Sequence, residues 1–316
     1  MNGKLLLYSF FILIVSYSLV VAQNDKRREW GRMAPDQLMK HWETANPREH
    51  GSIQDTLWEN IPAALPVLRQ TILTGTLNQK LFACALMARM RDRNSSDILL
   101  KALEDADGKL KTRIILSLRE IGDSTAANRI RRELLSTKNN SILKASLSAI
   151  GKLGTARDMP ILKKYLPHPD ESVRVNAAAA LALLGSYQGQ EILLTASRST
   201  NPLVAKEATY SLGLVDTTKS KSRLREILND PNGAWKSYAQ IALLNQRLTR
   251  TKPEDKINVL KASLSDKNER LAEWALERMA DLEDPQIIEI FEKTAQTKNK
   301  LGRKASRLLK IVEARS

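Results

Sequence analysis

Cysteine is almost missing from this chain. Its single copy, Cys84, excludes an intramolecular disulfide, so stability has to come from packing. Cys84 lies in the apolar run Leu81 to Met87, where it reads as a small buried hydrophobe rather than a reactive thiol. Histidine is scarce too: His41, His50 and His168 are the whole supply, and they do not promise a convergent imidazole set for a metal. No Gly-rich phosphate loop, nucleophile elbow or Cys-x-x-Cys pair is present, so no cofactor is expected and catalysis has no visible anchor. The segment Asp105-Ala106-Asp107-Gly108 has the first carboxylates of a calcium loop without the remaining ligands, and is read as an ordinary Asp/Gly turn. Strand-like alternation is lacking as well, which excludes a sheet.

The one long apolar run comes at the start. Lys4 makes a short basic beginning, Leu5 to Val21 is apolar apart from scattered Ser and Tyr, and a small residue, Ala22, closes it. That is the grammar of a signal peptide, with cleavage expected after residue 22 and an exported, periplasmic or extracellular body. The competing reading is an uncleaved membrane anchor over residues 5–22; the basic cluster Lys26 to Arg28 would then favour a cytoplasmic body by the positive-inside rule. Ser9, Ser16 and Ser18 weaken a permanent span. Removing the leader takes away Lys4 alone, so the chain keeps almost all of its net charge of +15. Such a surface accepts an acidic partner: an acidic protein, an acidic polymer or an anionic membrane surface, with nucleic acid less available to an exported chain. It also serves plain solubility.

What the chain has in quantity is a repeat. A small residue followed four positions later by a larger apolar one recurs as Ala83 and Met87, Ile114 and Leu118, Ser146 and Ile150, Ala177 and Leu181, Ala208 and Leu212, Ala239 and Leu243, Ala275 and Met279, and Ala305 and Leu309, the second pair opening on Ile instead. The steps are 31, 32, 31, 31, 31, 36 and 30 residues, so eight units share one period. The i, i+4 spacing puts each pair on one helix face. Every unit has room for two helices, as in Met159 to Leu166, a Pro-flanked turn, and Ser172 to Leu184. Turn residues fall between them at Asp107, Asn139, Asn201, Asn232 and Asn268, and Gly122, Gly154 and Gly185 follow second helices, where a left-handed cap suits glycine. A two-helix unit cannot bury its apolar face alone, so neighbours must stack. The expected fold is all-α: a right-handed α-solenoid of about eight two-helix repeats over residues 61–316. Residues 23–60, with Trp30, Trp42 and Trp58 and a helix-like stretch Asp36 to Trp42, form a leader and a helical N-terminal cap.

The run Asp170-Glu171-Ser172-Val173-Arg174, followed by Ala177-Ala178 and Leu181 to Gly185, resembles the signature unit of HEAT repeats of the phycobilisome-lyase-like type. The likeness extends over roughly residues 61 to 316. It implies an armadillo-type α-solenoid and leaves function open, because such repeats serve enzymes, enzyme subunits, scaffolds and transport factors. Other units replace the Val-Arg pair, by Leu110-Lys111 and Trp235-Lys236, so the Asp-Arg ladder that the resemblance implies is not expected throughout. Hydroxylases of this fold carry His-Glu pairs as iron ligands, and here no histidine is followed by Glu.

Surface recognition remains. Tyr210, Trp235, Tyr238 and Trp274 gather in second helices of the later units and are read either as anchors for a partner or as packing between units. Arg303, Lys304, Arg307 and Lys310 form a basic stripe in the last unit, suited to carboxylate or phosphate groups or simply to ending the stack in water. The favoured reading is an exported, non-enzymatic scaffold that binds a protein partner on the concave face. The alternatives are an enzyme or enzyme subunit of the lyase or hydroxylase kind, and a binder of an acidic polymer or nucleic acid.

Overall fold

The computed structural model describes residues 29–313 other than 232 and 283. The expected signal segment 1–22 lies outside the described residues. Among the described residues every regular element is helical, and no helix is long and apolar enough to cross a membrane. The chain divides into two compact units, one ending at Met90 and one spanning Arg91–Ser316.

In the first unit, α1 (Pro35–Thr44) and α2 (His50–Glu59) pack on the first helix pair, α3 (Ile61–Thr74) and α4 (Leu77–Met90). Tryptophans hold this unit together. Trp30 and Trp58 are buried, and the Trp42 ring is stacked between His50 at 4.6 Å and Phe82 at 4.5 Å, joining α1 to α4. Gln79 adds a hydrogen bond to the Met39 carbonyl at 3.2 Å. Cys84 is fully buried in α4, as its apolar surroundings require.

The second unit holds seven further pairs: α5 (Ser96–Asp105) with α6 (Gly108–Ile121), α7 (Ala127–Ser136) with α8 (Asn140–Leu153), α9 (Met159–Lys163) with α10 (Glu171–Leu183), α11 (Gln190–Ala196) with α12 (Pro202–Ser211), α13 (Thr218–Asn229) with α14 (Lys236–Arg250), α15 (Lys256–Ala262) with α16 (Glu269–Met279), and α17 (Gln286–Ala295) with α18 (Lys300–Glu313). Short polar side chains set where the second helices begin. Asp107, Asn139, Asp170, Asn201 and Asn268 each accept a hydrogen bond from a backbone N–H of the first turn that would otherwise have no partner. Asp107 therefore caps a helix, which is the ordinary work of an Asp/Gly turn. From α6 to α18, successive second helices pack against one another, forming one continuous layer.

The repeat read from the sequence is the repeat of the core. Ala83, Ile114, Ser146, Ala177, Ala208, Ala239, Ala275 and Ala305 are all 0% exposed. Their partners four residues on are buried too, except Leu243 and Leu309, which are half-buried. One expectation needs correction. Gly122 and Gly185 take the left-handed caps at φ +83° and +88°, but Gly154 is extended. Glycine is needed at residue 154 because a β-carbon would lie 2.5 Å from the Ile150 carbonyl oxygen and 2.6 Å from Asp158 Oδ2. At the signature unit Arg174 turns inward to its own repeat, donating to the carbonyls of His168 and Pro169, both at 2.8 Å, while Asp170 receives its cross-repeat bond from Asn140 at 2.8 Å.

Candidate partner-binding face

The layer of second helices brings the four aromatic residues together in two pairs. Trp274, on α16, is 8% exposed, and its indole N–H donates to the Tyr210 hydroxyl of α12 at 3.2 Å. These helices belong to repeats separated by the whole α13–α14 pair. Trp235 stands at the start of α14, half-buried against the core of the neighbouring repeats, and its ring is tilted against Tyr238 at 6.1 Å. Arg278 lies over the Trp274 ring at 5.2 Å and Arg270 over the Tyr238 ring at 4.5 Å. Each aromatic ring on α14 and α16 that a guanidinium covers thus presents cationic edges beside a π-face, an arrangement that holds the arginines in place without neutralising them. Trp274 is buried enough to be a packing residue. Tyr210, Trp235 and Tyr238 are the half-buried ones.

The basic stripe of α18 splits. Lys304 pairs with Glu273 at 3.5 Å and with Glu277, and Lys300 pairs with Glu273 at 2.6 Å, all tying α18 to α16. Burial pushes the Glu273 carboxyl upward, but the two lysines outweigh it and hold the group below its ordinary value. Lys304 is thereby engaged in packing the last repeat. Arg303 is exposed, while Arg307 and Lys310 are half-buried.

A second group of charges on the same layer was not singled out by sequence. Arg91 pairs with Asp281 across 190 positions of the chain. Arg278 lies 3.9 Å from the same carboxylate. Lys152 is solvent-exposed, yet protein crowds it enough to lower its ammonium pKa; Arg119, Arg91 and Arg278 lower it further, and Asp281 opposes them. The signal that could have found them is register: Arg119 lies five positions after Ile114, Lys152 six after Ser146 and Asp281 six after Ala275, so all three fall at the same end of their second helices.

The histidines serve local structure. His50 Nε2 is 3.0 Å from the Trp42 carbonyl oxygen, and His168 Nδ1 accepts from the Asp170 N–H at 3.1 Å. Among the described residues, no three His, Cys, Asp or Glu side chains gather in a way that could hold a metal ion.

Comparison with known proteins agrees with this architecture. The family described as HEAT repeats matches residues 96–172 and 159–244. Among solved structures, the complex of CpcE and CpcF of phycocyanin lyase from Nostoc sp. PCC7120 is similar at 18% identity and a TM-score of 0.55, over 72% of this chain and 93% of that one. Human deoxyhypusine hydroxylase aligns at 17% identity with a TM-score of 0.37, over 79% of this chain and 96% of that one. An archaeal HEAT-like repeats protein from Thermococcus onnurineus NA1 aligns at 18% identity with a TM-score of 0.22, over 79% of this chain and 97% of that one. No curated protein matches the sequence. Residues 96–244 of this chain therefore carry HEAT repeats, and within the second unit the stacked helix pairs continue the same register beyond them.

Proposed function

We propose that the protein is an exported, non-enzymatic scaffold that binds a protein partner on its layer of second helices. The observation that carries this reading is the arginine-covered aromatic surface of α14 and α16: Tyr238 beneath Arg270 and Trp274 beneath Arg278. Tyr238 is half-buried and open to a partner, Trp274 backs it from the core, and Tyr, Trp and Arg are the side chains most used as anchors at protein interfaces. The similar phycocyanin lyase structure is itself a complex of two chains, which favours a protein partner over a small substrate. Export rests on the apolar run Leu5 to Val21 ending at Ala22; a reporter fused after residue 30 checks it, and retention of that reporter in the cytoplasm would defeat it.

Immobilised residues 23–316 should retain a specific protein from an envelope extract through a high-salt wash, and Tyr238→Ala with Arg270→Ala should release it. Tyr238 is half-buried and Arg270 exposed, so the variant keeps its core. Equal retention by wild type and variant, or no protein surviving the salt wash, would refute the reading.

A further inference from the structure

Four cations, Arg91, Arg119, Lys152 and Arg278, gather at one end of the second-helix layer around the carboxylate of Asp281. Among the described residues this group carries more positive than negative charge. The Arg119 Nε–H is buried and has no hydrogen-bond partner among the described residues, so the cluster contains a donor waiting for an acceptor. Burial first, and then the neighbouring guanidinium groups, lower the Lys152 ammonium pKa.

Arg91 adds an independent sign. It has φ +52°, the left-handed region that an L-residue enters at a cost of about 1 kcal/mol or more. The corresponding places after α6 and α10, where the chain leaves a second helix, are glycines, Gly122 and Gly185. Arginine is kept here at the expense of backbone strain, and the side chain that this preserves is the one that reaches Asp281. Strain held at a position with a glycine solution available points to a role for the side chain itself.

The surroundings say what would fit. The anion already in the cluster is a carboxylate, held between two guanidinium groups in the manner such groups favour. Beside it is Leu183, which is 42% exposed and reaches Gly151, the residue before Lys152, while Trp274 lies buried beneath Arg278. Alternating charge and apolar surface suits a peptide with acidic and aliphatic side chains better than a phosphodiester backbone. We propose that this cluster docks an acidic peptide segment of the protein partner, whose carboxylates displace Asp281 from Arg91 and Arg278 and satisfy Arg119. This rests on the scaffold reading and names the partner's chemistry where Arg278 extends the same surface toward Arg91 and Lys152.

The test is fluorescence anisotropy with the full chain and a short labelled peptide of alternating Glu and Leu, compared with its Gln-for-Glu counterpart and an oligothymidylate of similar length. The Glu peptide should bind more tightly than both. Lys152→Gln and Arg91→Gly should each weaken it roughly tenfold, the loss expected of one charge-assisted hydrogen bond. Asp281→Asn should tighten it, and the control Lys219→Gln, an exposed side chain on α13, should leave it unchanged. Arg91→Gly should also melt no lower than wild type, because glycine relieves the strained backbone; a purely structural Arg91 would lower it. Tighter binding of the oligothymidylate, equal binding of the Gln peptide, or unchanged affinity in Lys152→Gln would overturn the proposal. A captured partner that is lost from Tyr238→Ala but kept by Lys152→Gln would sink the cluster and leave the scaffold standing.

Discussion

Asp158 shows how much one side chain can carry in a repeat of this size. Its carboxylate is 3% exposed and accepts from Arg131 Nε at 2.5 Å and from the Thr155 N–H at 2.9 Å, closing the short helical turn that leads into α9. Burial pushes its pKa up, but the Arg131 hydrogen bond, the Thr155 N–H and the charge of Arg131 outweigh it, so the group sits below its ordinary value of 3.8. A carboxyl depressed in the folded state stabilises the fold above its unfolded pKa, and that contribution drains away as pH falls from about 4 through the lowered value. Asp158→Asn keeps the shape and removes the charge. It should lower stability by about 2 kcal/mol at neutral pH, since a buried, charge-assisted pair is broken on one side. The gap between wild type and variant should narrow in urea titrations below pH about 4. A gap that stays constant with pH would show that the charge is not what Asp158 contributes.

At the scale of the helix, the seams are set by close approach. A β-carbon on Gly151 would lie 2.7 Å from Ala180 Cα, where α8 meets α10, and one on Gly213 would lie 2.6 Å from Ala242 Cα, where the turn after α12 meets α14. Gly151→Val should therefore cost about 2 to 3 kcal/mol by forcing α8 from α10, measured as a fall in the urea midpoint with unchanged slope. A cost below that of an exposed helix substitution would mean that the seam yields. Gly122→Ala tests the other use of glycine, with open space around it but φ +83°; it should cost about 1 kcal/mol through backbone strain alone. These seams also mark where the sequence stops being readable. The pairs such as Ala177 and Leu181 were legible because burial follows an i, i+4 rule within one helix. Gly151 meeting Ala180 depends on how two helices cross, which no single-helix pattern encodes. The site follows the same division: aromatics on second helices could be placed on the layer, but the burial of Trp274, the pairing of Lys304 and the meeting of Arg91 with Asp281 arise from contacts between different repeats.

Over the whole second unit, stability is distributed along a stack in which each second helix packs on its neighbours in sequence. Such arrays behave as a sum of repeat terms and neighbour terms, so the position of a defect decides how far it spreads. Ala177 in α10 and Ala305 in α18 occupy the same place in the repeat and are equally buried at 0% exposure. A buried, unpaired carboxylate at either position costs several kcal/mol locally. At Ala177 it breaks two seams, to α8 and to α12; at Ala305 it breaks one, to α16, together with the α17 contact. Ala177→Asp should expose amides on both sides of α10 to hydrogen exchange and remove most of the cooperative transition. Ala305→Asp should release α17 and α18 while α6 to α12 keep wild-type protection. Arg91 pairing with Asp281 sets a limit on this independence, because it ties the start of the unit to the end of α16. If that tie carries much energy, Ala305→Asp will also loosen Asp281 and, through it, the turn at Arg91. Equal loss of protection across the unit in both variants would show that the stack melts as one block, held by such long-range pairs and not by neighbour packing.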